Sequence, residues 1–265
     1  MNNPKHEFKK NLGQNFLRDK RWAEKIISYL EIIPGDNIIE IGPGQGYLTS
    51  HLLEAGANVF AVELDHELVP FLLGRFGNHP NFHLVESDIL EVDLEADGSK
   101  RYKVAGSLPY NISKKIIDKF FSTENTPELM TYIIQKEVAQ DYTAKGPKFS
   151  FLSIYAQMYA EVEYKNTISS NEFFPRPKVD GAIVTFSNIK ARRQDVKEFA
   201  RFVKVGYSQP RKKLSSNLTT LGIDKSVLEA KFITLSLPIG VRAEELGYNH
   251  WLELFKTFKA KPDAN

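Results

Sequence analysis

Short apolar runs alternate with helically spaced apolar residues along most of the chain, a pattern that predicts a sheet with helices on its faces. Ile38, Ile39 and Ile41 mark one buried strand, with Glu40 set among them. Asn58 to Val62, Phe82 to Val85 and Tyr102 to Ala105 read as the next three strands, and Leu129 to Ile134, Val162 to Ile168 and Gly181 to Phe186 as the last. Helical spacing lies between them. Trp22, Ile26, Ile27 and Leu30 follow Asp19; Leu68, Val69, Leu72 and Leu73 sit in a helix opened by Asp65; Ile116, Ile117, Phe120 and Phe121 sit in a helix that Ser113 is placed to cap. Gln135 to Ala139 begins a further helix, and the aromatic-rich stretch Phe149 to Tyr159 reads as a core helix. Strand signals stop after Asn188. Val196 to Gly206, Arg211 to Leu221, Lys225 to Ile233 and Glu244 to Phe258 then carry helical patterns alone. The expected architecture is an α/β domain over 1–188, followed by a small all-helical domain over 189–265.

Composition removes several classes. There is no cysteine, so neither a disulfide framework nor a thiolate metal site is available. The polar, basic amino terminus holds no apolar run of signal-peptide or membrane-span character, which makes a cytoplasmic location and no membrane partner the expectation. With 35 Lys and Arg against 33 Asp and Glu, a nucleic-acid surface has to come from local clustering. Lys190, Arg192, Arg193, Lys197, Arg201 and Lys204 begin such a cluster. Arg211, Lys212 and Lys213, opening a helix with Leu214 and Leu218 turned inward, are its best candidates for phosphate contacts. A solvated face is the ordinary alternative for any such charge run. Lys9 and Lys10 precede Gln14, Asn15, Phe16 and Leu17 in an amino-terminal arm. A frayed terminus is the usual fate of such an arm, but Phe16 and Leu17 call for burial, and Gln14 and Asn15 offer hydrogen bonds to a ligand.

The candidate chemistry sits at strand ends. Gly42-Pro43-Gly44-Gln45-Gly46 is a glycine-rich turn from strand to helix, which lets a ligand approach the backbone and opens donors at a helix start. Glu63 ends the second strand, where nucleotide folds place a carboxylate on ribose hydroxyls. Asp88, followed by Ile89, ends the third, and a carboxylate there can accept from an adenine amine. Alone, the glycine turn also suits a dinucleotide enzyme, although its G-x-G-x-G spacing and Pro43 lean away from a pyrophosphate.

Ser107-Leu108-Pro109-Tyr110-Asn111-Ile112-Ser113 ends the fourth strand in a rigid loop. An exocyclic amine on adenine is a poor nucleophile, because its lone pair is delocalised into the ring. A polar side chain at Ser107 and the carbonyls of Leu108 and Pro109 can accept its hydrogens, and Tyr110 can stack on the base. A Pro-Tyr turn whose tyrosine only packs is an equal alternative for the loop taken alone. Asn171 to Asp180 holds Phe173 and Phe174 between alternating prolines, which reads as a stiff, exposed ledge and a second face for a flipped base.

Taken together, Gly13-Gln14-Asn15-Phe16-Leu17, Glu40-Ile41-Gly42-Pro43-Gly44, Glu63-Leu64-Asp65, Leu108 to Ser113, Gln135-Lys136-Glu137-Val138, Pro177-Lys178-Val179-Asp180, Arg211-Lys212 and Arg242-Ala243-Glu244 resemble the small-subunit ribosomal RNA adenine N6-dimethyltransferase family along nearly the whole chain. The resemblance implies a Rossmann-like methyltransferase domain with a helical domain behind it, and S-adenosylmethionine as methyl donor. It implies two adjacent adenines in the 3′-terminal hairpin of small-subunit rRNA as substrate, on the immature small subunit. It further implies that Asn15, Leu17 and Gly42 line the methionine side of the cofactor, that Glu63 holds its ribose and Asp88 its adenine amine, with Gly44, Leu64, Ile89 and Ser107 as further cofactor contacts, and that Tyr110 and Phe173 sandwich the target base. Lys9 and Lys10 are further candidates for RNA contacts. No metal is expected, and a monomer is the default.

One position departs from the family, which usually carries asparagine where this chain has Ser107. Serine is shorter by an amide group, so its oxygen needs a bridging water to reach the same place, while the carbonyls beyond it remain as acceptors. A working enzyme is expected. The alternatives are a large-subunit rRNA adenine methyltransferase of the antibiotic-resistance type and a catalytically weak small-subunit assembly factor. The enzyme reading requires Gly42, Glu63, Asp88 and Ser107 to converge on one crevice, with Tyr110 facing what enters it.

Overall fold

A computed structural model describes residues 16–17, 19–94, 101–190 and 195–259. The chain divides into two compact units, one made of 1–139 and 161–191, the other of 140–160 and 192–265.

In the first unit, strand β1 (Phe16–Leu17) precedes helix α1 (Lys20–Leu30), which Asp19 caps by accepting the Arg21 N–H. There follow β2 (Asn37–Ile41), α2 (Tyr47–Glu54), β3 (Asn58–Glu63), α3 (Val69–Phe76), β4 (Phe82–Glu86), β5 (Tyr102–Ser107), α4 (Ser113–Ser122), β6 (Leu129–Gln135) and α5 (Lys136–Tyr142). After α6 (Phe151–Gln157) come β7 (Glu161–Ile168), β8 (Phe173–Phe174) and β9 (Gly181–Ser187). Seven strands form one sheet in the order β4-β3-β2-β5-β6-β9-β7. The first five run parallel, and β9 lies antiparallel to both β6 and β7. Central strands buried on both faces need apolar residues without alternation; Val104 and Ala105 of β5 and Met130 to Ile134 of β6 supply them, all fully buried.

The order reverses at β2, whose neighbours are β3 on one side and β5 on the other, and such a switch point opens a crevice at the carboxyl ends of the strands. Register brings those ends level: Ile41 is opposite both Val62 and Gly106. The next residue along each strand is Gly42, Glu63 or Ser107. Gly106 makes the close approach possible, because a Cβ there would stand 2.6 Å from the Ile41 carbonyl oxygen.

The second unit is helical. Beside α6 it contains α7 (Val196–Gly206), α8 (Leu214–Leu218), α9 (Lys225–Thr234) and α10 (Tyr248–Lys259). Trp251 is fully buried at its centre, stacked on Tyr207 at 5.7 Å, with its ring edge in the space that Gly206 leaves for want of a side chain.

Three expectations change. The stretch 140–160, expected in the first domain, belongs to the helical unit, where the Phe149 N–H donates to the Glu244 carbonyl at 2.7 Å and the Tyr207 hydroxyl to the Phe149 carbonyl at 3.1 Å. Ser113 is not the cap of α4 but its first residue; Ile112 takes the cap position, and the Ser113 hydroxyl is buried with no partner among the described residues. The helix expected from Arg211 starts at Leu214, because the Lys212 N–H closes a turn onto Gln209. Leu214 and Leu218 do face inward, both fully buried.

Forcing a methyl against a backbone oxygen in a packed sheet costs about 1–3 kcal/mol. Gly106→Ala is therefore predicted to lower the unfolding free energy by that amount, seen in urea unfolding as a lower midpoint with an unchanged slope.

Candidate active site

The turn from β2 to α2 takes a shape most side chains resist: φ is +63° at Gly42 and +58° at Gly44. The Gly42 N–H donates to the Val62 carbonyl at 2.9 Å, which ties the turn to the tip of β3. A Cβ added at Gly42 would meet nothing within 4 Å, so open space lies against the backbone there.

Glu63 reaches into the same turn. Its Oε2 accepts the Gly44 N–H at 3.1 Å and its Oε1 the Asp65 N–H at 2.9 Å. Burial pushes its carboxyl above the usual range, and the two amide donors work against that shift. Each oxygen has a lone pair left for a hydroxyl. Asp88, half-buried beyond the end of β4, accepts the Leu90 N–H at 2.9 Å, which orients its carboxylate. Buried Ile89 and half-exposed Leu64 add apolar wall beside it.

Gly42, Gly44, Glu63, Leu64, Asp88, Ile89 and Ser107 all line one crevice, as do Leu17 and Pro109. The four strand ends converge as required, but Tyr110 and Phe173 are not among the residues that line the crevice. Leu17 arrives by another route, since β1 pairs antiparallel with β8 and sets Leu17 opposite Phe173. Asn15, Lys9 and Lys10 lie outside the described residues. Arg211, Lys212 and Lys213 are exposed in the helical unit, in and after the turn that precedes α8.

The reactive loop is sorted residue by residue. The Leu108 side chain is buried and its N–H donates to the Ile133 carbonyl at 2.9 Å, so its own carbonyl is what it can offer a ligand. Pro109 lines the crevice, and its carbonyl accepts the Ile112 N–H at 3.2 Å. Tyr110 is half-buried, and its hydroxyl has no partner among the described residues. Burial, then the charges of Asp180 and Glu137, push that hydroxyl up to about 12.

The ledge is not as expected. Phe173 is 2% exposed and belongs to the hydrophobic core, because its ring fills the space above side-chain-free Gly181; only Phe174, at 44%, is open. Tyr110 brings its hydroxyl to the same glycine, 3.3 Å from where a Cβ would stand, whereas Phe173 reaches it from inside the core.

Glu40 has no role that its residue type and place alone suggest. It is 1% exposed, lines the crevice, and accepts the Thr49 hydroxyl at 2.7 Å. Burial pushes its carboxyl up to about 8, with the Thr49 hydrogen bond opposing and the charge of Glu63 adding. A lone acid inside an isoleucine run was the available signal.

The family model described as "Ribosomal RNA adenine dimethylase" matches residues 5–260 of this chain. This chain belongs to that family. The protein named "Ribosomal RNA small subunit methyltransferase A" of Pseudomonas savastanoi pv. phaseolicola is 36% identical over 264 residues, covering 97% of this chain and 96% of its own. Its namesake in Lactobacillus johnsonii is 37% identical, with coverages of 95% and 90%. Among solved structures, a dimethyladenosine transferase from Plasmodium falciparum superposes with a TM-score of 0.77 at 22% identity, covering 92% of this chain and 97% of that one. The 23S rRNA methyltransferase ErmE superposes at 0.75 and 24%, with coverages of 92% and 99%. These two likenesses establish the fold, a Rossmann-like methyltransferase sheet.

The methyl donor of the family is S-adenosylmethionine, and the residues present fit it. Ribose hydroxyls suit the remaining lone pairs of Glu63, an adenine amine suits Asp88 between Leu64 and Ile89, and the open space at Gly42 admits the methionine end beside Leu17.

A carboxyl raised in the folded state holds its proton more tightly there than in the unfolded chain. Its share of stability is therefore present at low pH and is lost as pH rises from 4.5 through about 8. Glu40→Gln is predicted to lose less melting temperature than the wild type between about pH 5 and about pH 8. Glu63 keeps a residual slope of the same sign. Thermal unfolding across that range measures the difference.

Proposed function

We propose that this protein transfers methyl groups from S-adenosylmethionine to N6 of two adjacent adenines in the 3′-terminal hairpin of small-subunit rRNA, acting as a cytoplasmic monomer on immature small subunits. The observation that carries the reading is the meeting of Gly42, Glu63, Asp88 and Ser107 in one crevice, with Pro109 leading from it to Tyr110. The curated relatives support the subunit by their names.

The bound donor supplies a methyl group on a sulfonium, already a strong electrophile, so the protein's work is alignment. Ser107 and the Leu108 carbonyl accept the hydrogens of the target amine and turn its lone pair toward the methyl group. Tyr110 stacks on the base, with Phe173 buried behind as the second aromatic of the pair. A phenol raised to about 12 stays neutral at working pH, so Tyr110 serves as a stacking ring and not as a base. The amine proton leaves to solvent after transfer. The helical domain, with Arg211, Lys212 and Lys213, holds the RNA backbone.

Three measurements test this. Mass spectrometry of small-subunit rRNA incubated with the protein and its methyl donor is expected to find dimethyladenine in the 3′-terminal fragment, and modification confined to large-subunit rRNA would reverse the assignment. Base stacking is worth about 1–3 kcal/mol, so Tyr110→Ala should slow methylation by roughly 10-fold to 100-fold. Replacing Arg211, Lys212 and Lys213 by alanine is expected to weaken RNA binding and flatten its log–log salt dependence by about 2.

A further inference from the structure

The Phe173 ring and the Tyr110 hydroxyl both come to the start of β9, and the residue just before that point carries a carboxylate. At Gly181 a Cβ would lie 2.9 Å from Phe173 Cζ and 3.3 Å from the Tyr110 hydroxyl oxygen. The ring of the one and the hydroxyl of the other face side-chain-free backbone, so the place of that backbone bears on both. Asp180 holds it through three contacts. Its Oδ1 accepts the Ser170 N–H at 3.0 Å, its Oδ2 lies 3.6 Å from Lys136 Nζ, and its carbonyl accepts the Lys136 N–H at 3.0 Å.

Each contact leads to a working part. Ser170, 7% exposed, opens the 3-10 turn Ser170–Glu172 that runs directly into Phe173, and its hydroxyl accepts from Arg176 Nε at 3.2 Å. Lys136 follows the end of β6, the strand paired with β5 up to Ser107 opposite Ile133. One carboxylate therefore joins the segment bearing Phe173 to the strand ends bearing the reactive loop.

We propose that Asp180 is a positioning residue for methyl transfer: by holding Ser170 against the start of β9, it fixes the footing of buried Phe173 and of the Tyr110 hydroxyl, and with it where Tyr110 meets the target base. The inference rests on the function proposed above. Asp180 touches no reacting atom. Its ion pair with Lys136 is solvent-exposed by about a third on each side, and such pairs add little to stability. The bond to Ser170 is different, because it sets local geometry, and a misplacement of about 1 Å can slow a reaction by 10²-fold.

The test uses the full-length protein, an rRNA hairpin substrate and the methyl donor. Asp180→Ala is expected to lower kcat by about tenfold or more, with the dissociation constant of S-adenosylmethionine by calorimetry and the KM for RNA nearly unchanged. Asp180→Asn keeps an oxygen for the Ser170 N–H and should recover most of the lost turnover. Amide hydrogen exchange should quicken over Ser170–Phe174 in Asp180→Ala and nowhere else in the sheet. Three results would overturn the proposal: wild-type turnover in Asp180→Ala, a cofactor affinity that falls in step with turnover, or an Asp180→Asn variant as slow as the alanine. A wild-type protein that methylates no RNA would instead defeat the functional reading, and the exchange experiment then decides the clamp by itself.

Discussion

A buried carboxylate with no cation beside it among the described residues is held in this fold by two backbone amides. Glu63 stands at the tip of β3, and each of its oxygens takes one N–H, from Gly44 in the glycine turn and from Asp65 in its own chain. Burying such a group unpaired would be very unfavourable. The bonds offset that penalty and in doing so lock the tip of β3 to the turn after β2. The crevice depends on that lock. Level registers across β3, β2 and β5 bring the strand ends abreast, but only the turn's fixed shape keeps open space against Gly42.

Much of this is legible in the residues. Runs such as Ile38 to Ile41 and Leu129 to Ile134 suit the middle of a sheet, and β2 and β6 span them to within a residue or so. Helix α7 spans the same residues that its apolar spacing predicts. The strand-end positions of Gly42, Glu63, Asp88 and Ser107 follow from the strands themselves, so the crevice was readable as soon as the strands were in parallel order.

What escaped depends on partners distant in sequence. Phe173 between prolines has the local character of an exposed ledge, yet it is buried because Gly181, on another element, leaves room for its ring. Phe149 to Tyr159 reads correctly as core, but periodicity does not say whose core; a hydrogen bond to Glu244 answers that. Ser113 is a good cap by type, and the turn closed by Ile112 onto Pro109 moved the helix start by one residue. Glu40 has no local mark of function beyond being an acid among isoleucines. Its character comes from Thr49 and from the crevice beside it.

The two-residue ribbon formed by β1 and β8 joins regions that are otherwise separate. Leu17 lines the crevice, while its partner Phe173 packs into the hydrophobic core. So short a ribbon has little stiffness of its own, and its place is set by what presses on either end. A ligand seated against Leu17, as proposed for the methyl donor, would bear on the footing of Phe173. Thermodynamic reciprocity would make any such influence equal in both directions.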